Sequence, residues 1–262
     1  MTRAAKHYRN NAIGRVALVT GAAMGIGAAI AKRLGEDGHT VVVADINLAA
    51  AEEMVAGLHA DGLEALAVAI DVGNPEAIAA TFTALQHSHG RCDVLVNNAG
   101  IAKTLPFLDY PLDHWQRVLD INLTGSLLCG QQAARMMRTQ GWGRIINIAS
   151  ISGLRASAGR TAYGTSKAAV IGLTRQMAIE LAEYGITVNG IAPGPVDTPL
   201  TQALHSPETR ASYARAVPLR RYGTPEEMAA AVAFLASDDA SYISGHVIPV
   251  DGGFMASGIL EI

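Results

Sequence analysis

Hydrophobic and polar positions alternate between two regimes along the chain. Short apolar, often β-branched runs of six to eight residues recur: RVALVT (15–20), TVVVAD (40–45), EALAVAID (64–71), CDVLVNN (92–98), GRIINIAS (143–150), ITVNGIAP (186–193) and HVIPVDGG (246–253). Between them lie longer stretches with apolar residues at helical spacing: 28–38, 47–62, 75–90 (opening on Pro75), 112–139, 160–184 and 225–237. Runs that are apolar throughout and are followed by helices predict parallel strands covered on both faces. Right-handed crossovers then wind about seven strands into a doubly wound α/β sheet. No internal repeat, biased segment or linker divides the chain. It reads as a short extension over 1–13 followed by one domain over 14–262. Residues 193–224 break the pattern: they hold five of the ten prolines and no clear period. Such an insert reads as a lid or as a surface excursion.

Composition narrows the classes. Half of the 262 residues are apolar and 16% are charged, which suits a packed globular core. A net charge of −3 gives no electrostatic reason to expect nucleic acid or an anionic membrane as partner. No apolar run is long enough to span a bilayer, and MTRAAKHYRNN lacks the apolar segment of a secretion signal. Cys92 and Cys129 form neither a disulfide framework nor a metal-ligand pattern. They read as small buried apolar residues in a reducing, cytoplasmic compartment, and no metal is expected.

Three segments carry candidate chemistry. The first strand runs into Thr20-Gly21-Ala22-Ala23-Met24-Gly25-Ile26-Gly27 and then a helix. Glycines there allow a sharp turn and close approach to a pyrophosphate, which the helix N-terminus attracts. The spacing is GxxxGxG rather than the general GxGxxG. Asp45 ends the second strand, where a carboxylate accepts hydrogen bonds from two ribose hydroxyls and repels a 2′-phosphate; it or Asn47 could instead cap the next helix. Met24, where a cation would meet that phosphate, agrees with NAD rather than NADP. Asp71 and Val72 are expected near the adenine, although Asp71 also suits a turn before Pro75. Asn97-Asn98-Ala99-Gly100 end the fourth strand at the crevice where doubly wound sheets bind ligands, unless Asn97 only ties loops together. In TAYGTSK (161–167), Tyr163 and Lys167 stand four apart and share one helical face. A phenol keeps its proton to about pH 10, and a fixed ammonium nearby favours the phenolate.

These pieces, with Asn122, Ser150 and PGPVDT (193–198), resemble the classical short-chain dehydrogenases/reductases over about residues 14–253. Ser150 precedes Tyr163 by thirteen residues, the spacing usual in that family. The resemblance implies a single-domain Rossmann-type fold, a nicotinamide cofactor, hydride transfer and a homotetramer. It implies Tyr163 as general base or acid, Lys167 as the group that favours its anion and binds the nicotinamide ribose, and Ser150 as donor to the substrate oxygen. It implies that Asn122 binds a water connecting Lys167 to solvent, and that Pro193, Gly194, Val196 and Thr198 cover the nicotinamide. Gly21, Met24, Gly25, Ile26, Gly27, Asp45, Asp71, Val72, Asn98, Ala99 and Gly100 complete the expected cofactor set, with NAD as cofactor.

The expected reaction is NAD-dependent interconversion of a secondary alcohol, on a polyol, sugar or hydroxy acid, with its ketone. The alternatives are a 3-oxoacyl thioester reductase and a catalytically silent NAD-binding protein. Ser152, beside Ser150, is a candidate second hydroxyl for a polar substrate, with Thr104, Arg155, Arg160, His205 and Ser206 around the mouth. Ile101, Leu105, Ile151, Leu154 and Leu200 could equally line an apolar pocket. The long helices 112–139 and 160–184, rich in small residues, suit subunit contacts, and the apolar tail GGFMASGILEI suits an interface.

Overall fold

The computed structural model describes residues 14–258. Seven strands form one parallel sheet in the order β3-β2-β1-β4-β5-β6-β7. They are β1 (Val16–Thr20), β2 (Thr40–Asp45), β3 (Ala65–Ala69), β4 (Val94–Asn97), β5 (Gly143–Ile148), β6 (Ile186–Pro193) and β7 (Val247–Val250). Each corresponds to one of the seven apolar runs. The doubly wound α/β architecture of a Rossmann-type fold is therefore present in full.

Helices α1 (Gly25–Glu36), α2 (Leu48–Ala60), α3 (Pro75–His89), α4 (Leu112–Leu119), α5 (Gly125–Gln140), α6 (Thr161–Leu181), α7 (Pro199–Leu204), α8 (Pro207–Ala216) and α9 (Pro225–Ala236) surround the sheet. Strand alternation feeds two separate cores. Ala17, Val19, Val41, Val43, Val94 and Val96 face a layer of α1, α2 and α9, with Ile30, Leu34, Val55, Met228 and Leu235. Val16, Leu18, Val42 and Leu95 face the opposite layer of α3, α5 and α6, with Phe82, Leu85, Met137 and Met177. Both layers exclude water, which is why the strands carry no polar face. The order of the sheet reverses between β1 and β4, and a crevice opens at their carboxyl ends.

Three details differ from the sequence reading. The first helix begins at Gly25, inside the glycine-rich segment, rather than at residue 28. The stretch 112–139 is one helical rod interrupted by a π-helical turn over Asp120–Thr124, which holds Asn122. The insert 193–224 is not irregular: it carries α7 and α8, each opened by a hydroxyl cap and a proline at the start. Thr198 accepts from Thr201 N, and Ser206 from Thr209 N. The expected extension 1–13 lies outside the described residues, as do the last four positions of the apolar tail.

Candidate active site

Strand β1 delivers the chain into the glycine-rich turn, and two contacts require its glycines. Gly21 has φ +63, a left-handed conformation that side chains disfavour. At Gly27 an added Cβ would stand 2.1 Å from the Gly21 carbonyl oxygen and 2.6 Å from Asn98 Nδ2. Asn98 clasps this turn from β4's end, donating from Nδ2 to the carbonyls of Thr20 and Gly21, both at 2.9 Å. Thr20 Oγ1 in return accepts from the amides of Asn98 (3.0 Å) and Ala99 (3.1 Å). Asn97 points into the protein instead, donating to Ser126 O and Asn147 Oδ1, so it ties elements together.

Helix α1 has no side-chain cap on its first N–H groups and no acidic residue in its first turn. Those donors face the crevice with the positive end of the helix, which suits a phosphate. Asp45 does not cap α2; Asn47 does, accepting from Ala50 N. The Asp45 carboxylate is instead held by the amides of Ala23 (3.1 Å) and Asn47 (3.0 Å), at the rim of the crevice. Asp71 accepts from Gly73 N at 2.8 Å and pairs with Arg117 at 3.3 Å, so the turn and the rim are both served.

One cavity of about 540 Å³ collects these groups. Gly21, Met24, Gly25, Ile26, Gly27, Asp45, Asp71, Val72, Asn98, Ala99, Gly100, Tyr163, Lys167, Pro193, Gly194, Val196 and Thr198 all line it, together with Ser150. It is large enough for a dinucleotide's extended arm, with an uncapped helix terminus for the phosphates and a carboxylate at one end. The residues present therefore fit such a cofactor. Ile101 and Leu200 also line it, whereas Asn122, Ser152, Thr104, Arg155, Arg160, His205 and Ser206 do not, so Arg160 and His205 stand outside the cavity, beyond Tyr163.

At the other end stand Ser150, Tyr163 and Lys167. Ser150 leaves β5 in extended conformation, its Oγ accepts from Ser152 N at 3.1 Å, and its hydroxyl favours the Tyr163 anion. Ser152 thus contributes an amide that orients Ser150, and its own hydroxyl is not brought to the cavity. Lys167 is 4% exposed, and its Nζ donates to Ile148 O at 2.6 Å, 5.8 Å from the centre of the Tyr163 ring. Burial lowers the Lys167 ammonium to about 8. Burial raises the Tyr163 pKa, and the Ser150 hydrogen bond and the Arg160 charge offset this only in part. Desolvation outweighs both, and the Lys167 ammonium donates to a carbonyl rather than to the phenol.

Asn122 neither faces out nor caps a kink. It is fully buried in the π turn, accepts from Ile101 N (2.9 Å), and donates to Ile101 O and Ser166 Oγ, both at 3.0 Å. Ser166 Oγ donates to Tyr163 O at 2.8 Å. Both amide protons of Asn122 are thereby committed, and a water has only a lone pair of Oδ1 to use. Asn122 braces the loop after β4 against the helix that carries Tyr163.

An aromatic cluster that no motif announces is linked to Tyr163 through Arg160. His205, closing α7, stacks on Tyr213 at 5.3 Å, and its Nδ1 lies 2.9 Å from the Tyr222 hydroxyl. Its Nε2 lies 3.3 Å from Arg160, whose guanidinium stands 5.6 Å from the centre of the Tyr163 ring. The available signal was the Thr198-Pro199 and Ser206-Pro207 pairs, each a helix start. The other mouth residues have local duties: Thr104 lies against Gly159, Ser206 caps α8, and Arg155 lies over Phe254. Among the described residues no helix is long and apolar enough to cross a membrane, and no group of three His, Cys, Asp or Glu could hold a metal ion. Cys92 and Cys129 are free and buried.

Comparison with known proteins agrees with this geometry. The family profile described as Enoyl-(Acyl carrier protein) reductase matches residues 21–255. A cis-4-hydroxycyclohexanecarboxylate dehydrogenase of Sinomonas cyclohexanicum is 44% identical over 92% of this chain and 97% of its own. A 3-oxoacyl-[acyl-carrier-protein] reductase of Aquifex aeolicus is 42% identical, again over 92% of this chain and 97% of its own. The crystal structure of a gluconate 5-dehydrogenase from Burkholderia cenocepacia, in complex with NADP and tartrate, superposes with TM-score 0.92 at 33% identity, covering 96% of this chain and 100% of that one. The chain belongs to the classical short-chain dehydrogenase/reductase family and is an oxidoreductase of the alcohol–ketone type.

Proposed function

We propose that the protein interconverts a secondary hydroxyl on a polyol, sugar or hydroxy acid with the corresponding ketone, using NAD. The observation that carries this reading is the meeting of Ser150, Tyr163 and Lys167 at one end of a cavity whose other end holds Asp45. A bound nicotinamide dinucleotide supplies or accepts the hydride. Asp45 is already fixed by two amides, so it would receive two ribose hydroxyls without moving, and a 2′-phosphate there would meet its charge. A relative's structure carries NADP, and the charge of Asp45 is what argues for NAD in this chain.

Ser150 donates to the substrate oxygen, and Tyr163 moves the proton on or off it. Burial favours the protonated phenol, the form that acts as acid in ketone reduction. A cation entering the cavity lowers the phenol's proton affinity and favours the base role, needed for alcohol oxidation. Lys167 fixes the ribose side and adds positive charge beside the ring. Two relatives support the hydroxy-acid end of the substrate range, since the names of their activities denote hydroxylated carboxylic acids.

The similarity to the Aquifex protein favours a second reading, 3-oxoacyl thioester reduction. That reading calls for a basic docking patch; of the arginines that could supply one, Arg221 is paired with Glu227 at 2.6 Å, while Arg155, Arg160 and Arg220 make no ion pair among the described residues. A homotetramer completes the proposal, with the apolar tail at an interface. The deciding experiment follows NADH absorbance during incubation with NAD⁺ and matched sets of polyols, hydroxy acids and plain secondary alcohols. A 3-oxoacyl thioester with NADPH or NADH serves as the opposing substrate. Turnover of the thioester alone overturns the first reading.

A further inference from the structure

Three side chains follow one another along one face of α6. Arg160 is its N-cap, Tyr163 lies three residues on, and Lys167 four beyond that. Lys167 is the inner end: its Nζ would lie 3.5 Å from a Cβ at Gly100, deep in the crevice. Arg160 is the outer, half-buried end. The two charges flank the phenol at 5.8 and 5.6 Å from the ring centre. The inner charge belongs to the cofactor side of the cavity. The outer one favours the phenolate from a distance, but no hydride or proton passes through it.

Arg210 is paired with Asp197 at 3.1 Å, Arg221 with Glu227 at 2.6 Å and Arg117 with Asp71 at 3.3 Å. Among the described residues Arg155, Arg160, Arg215 and Arg220 make no ion pair, and of these Arg160 alone stands over the Tyr163 ring and bonds an imidazole. Its one side-chain hydrogen bond goes to His205 Nε2. That ring nitrogen accepts when His205 is neutral, with Nδ1–H donating to Tyr222. A neutral acceptor orients a guanidinium without cancelling its charge. His205 is itself fixed by Tyr222 and by stacking on Tyr213, so the orientation is imposed by the insert. The result is a partly desolvated, unneutralised, pre-aimed fork beside the reacting phenol. A guanidinium fork matches a carboxylate with two parallel hydrogen bonds.

We propose that Arg160, oriented by His205, binds the carboxylate of a hydroxy-acid substrate whose hydroxyl reaches Tyr163 and Ser150. This selects one of the three alcohol classes left open above, and it rests on the reading of Tyr163 as the reacting group. Arg160 is a substrate-binding residue and His205 a positioning residue; neither takes part in proton transfer.

The test uses matched pairs in the NAD⁺ assay: 3-hydroxybutyrate and 4-hydroxycyclohexanecarboxylate, each against its neutral carboxamide. The parent should prefer the acids at least about 10-fold in kcat/KM. Arg160→Ala should raise KM for the acids about 10- to 100-fold, in line with loss of charged hydrogen bonds, while kcat changes alike and by no more than a few-fold for acids and amides, through the lost charge beside Tyr163, and KM for the amides is kept. Arg160→Lys should recover part of the loss, and Arg160→Gln gives the same reading if the alanine variant does not fold. His205→Phe, which keeps the stacking but removes the acceptor, should raise KM for the acids by a smaller factor with kcat kept. Equal losses on acids and amides overturn the proposal. So does a parent that oxidises neutral alcohols without preferring acids, and in that case the proposed function still stands. A parent that oxidises no alcohol of either kind fails the proposed function itself.

Discussion

Replacing Lys167 by methionine separates the residue's cost to the fold from its use in the site. Burial lowers its pKa from 10.5 to about 8. The unfolded chain therefore binds more protons than the folded one between those values. Raising the pH through that window then favours the folded state, because folding there releases a proton. With one pH unit worth about 1.4 kcal/mol, the cofactor-free parent gains about 2 kcal/mol between pH 7 and 9.5 from this group alone. Lys167→Met removes the titration. It also strands the Ile148 carbonyl that Nζ now serves at 2.6 Å, a cost of about 1–3 kcal/mol that does not depend on pH. The difference between parent and variant, measured by urea unfolding at several pH values, should thus shift by about 2 kcal/mol across the window. All other titrating groups are common to both chains and cancel. Parallel stability curves would refute the reasoning, because they would mean that Lys167 titrates alike in both states. Turnover of the variant should fall sharply at every pH.

Further outcomes follow from single residues. Asp45→Ala should narrow the preference for NAD over NADP by removing repulsion, read as the ratio of kcat/KM values; a parent that uses both cofactors equally contradicts the role given to Asp45. Gly27→Ala should lower the melting temperature and weaken NADH binding together, because its methyl group meets the Gly21 carbonyl; overpacking of this kind costs about 1–3 kcal/mol. Asn122→Ala strips three hydrogen bonds, so it should destabilise the fold by several kcal/mol; a variant as stable as the parent shows that the π turn needs no brace. Light scattering at micromolar concentration should report four subunits, and a monomer contradicts the proposed assembly.

The strands were readable because burial on both faces leaves continuous apolar runs that nothing else explains. Pairs such as Tyr163 and Lys167 were readable because helical spacing is local. Competing readings that depend on a side chain's direction were not. Asn97 and Asn98 are neighbours, yet one ties strands together and the other clasps the glycine-rich turn. Asp45 and Asn47 both suit a cap, and only the fold assigns it to Asn47. The π turn around Asn122 leaves no mark in the hydrophobic pattern, since one extra residue per turn shifts that pattern little. The effect of burial on Tyr163 was not readable, because proximity of a lysine is local whereas desolvation comes from the whole surround. The cluster of Arg160, His205, Tyr213 and Tyr222 joins segments far apart in the chain, so no spacing rule reaches it.

The central claim is that Tyr163 transfers the proton that accompanies hydride exchange. Tyr163→Phe removes one hydroxyl and leaves the ring, Lys167 and the cavity wall in place. The measurement is the turnover number of this variant with NAD⁺ and the best alcohol of the parent, beside NADH affinity from fluorescence titration. A loss of about 10²–10⁴-fold in turnover with nearly unchanged NADH affinity is predicted. A variant that turns over at close to the parental rate would contradict the account.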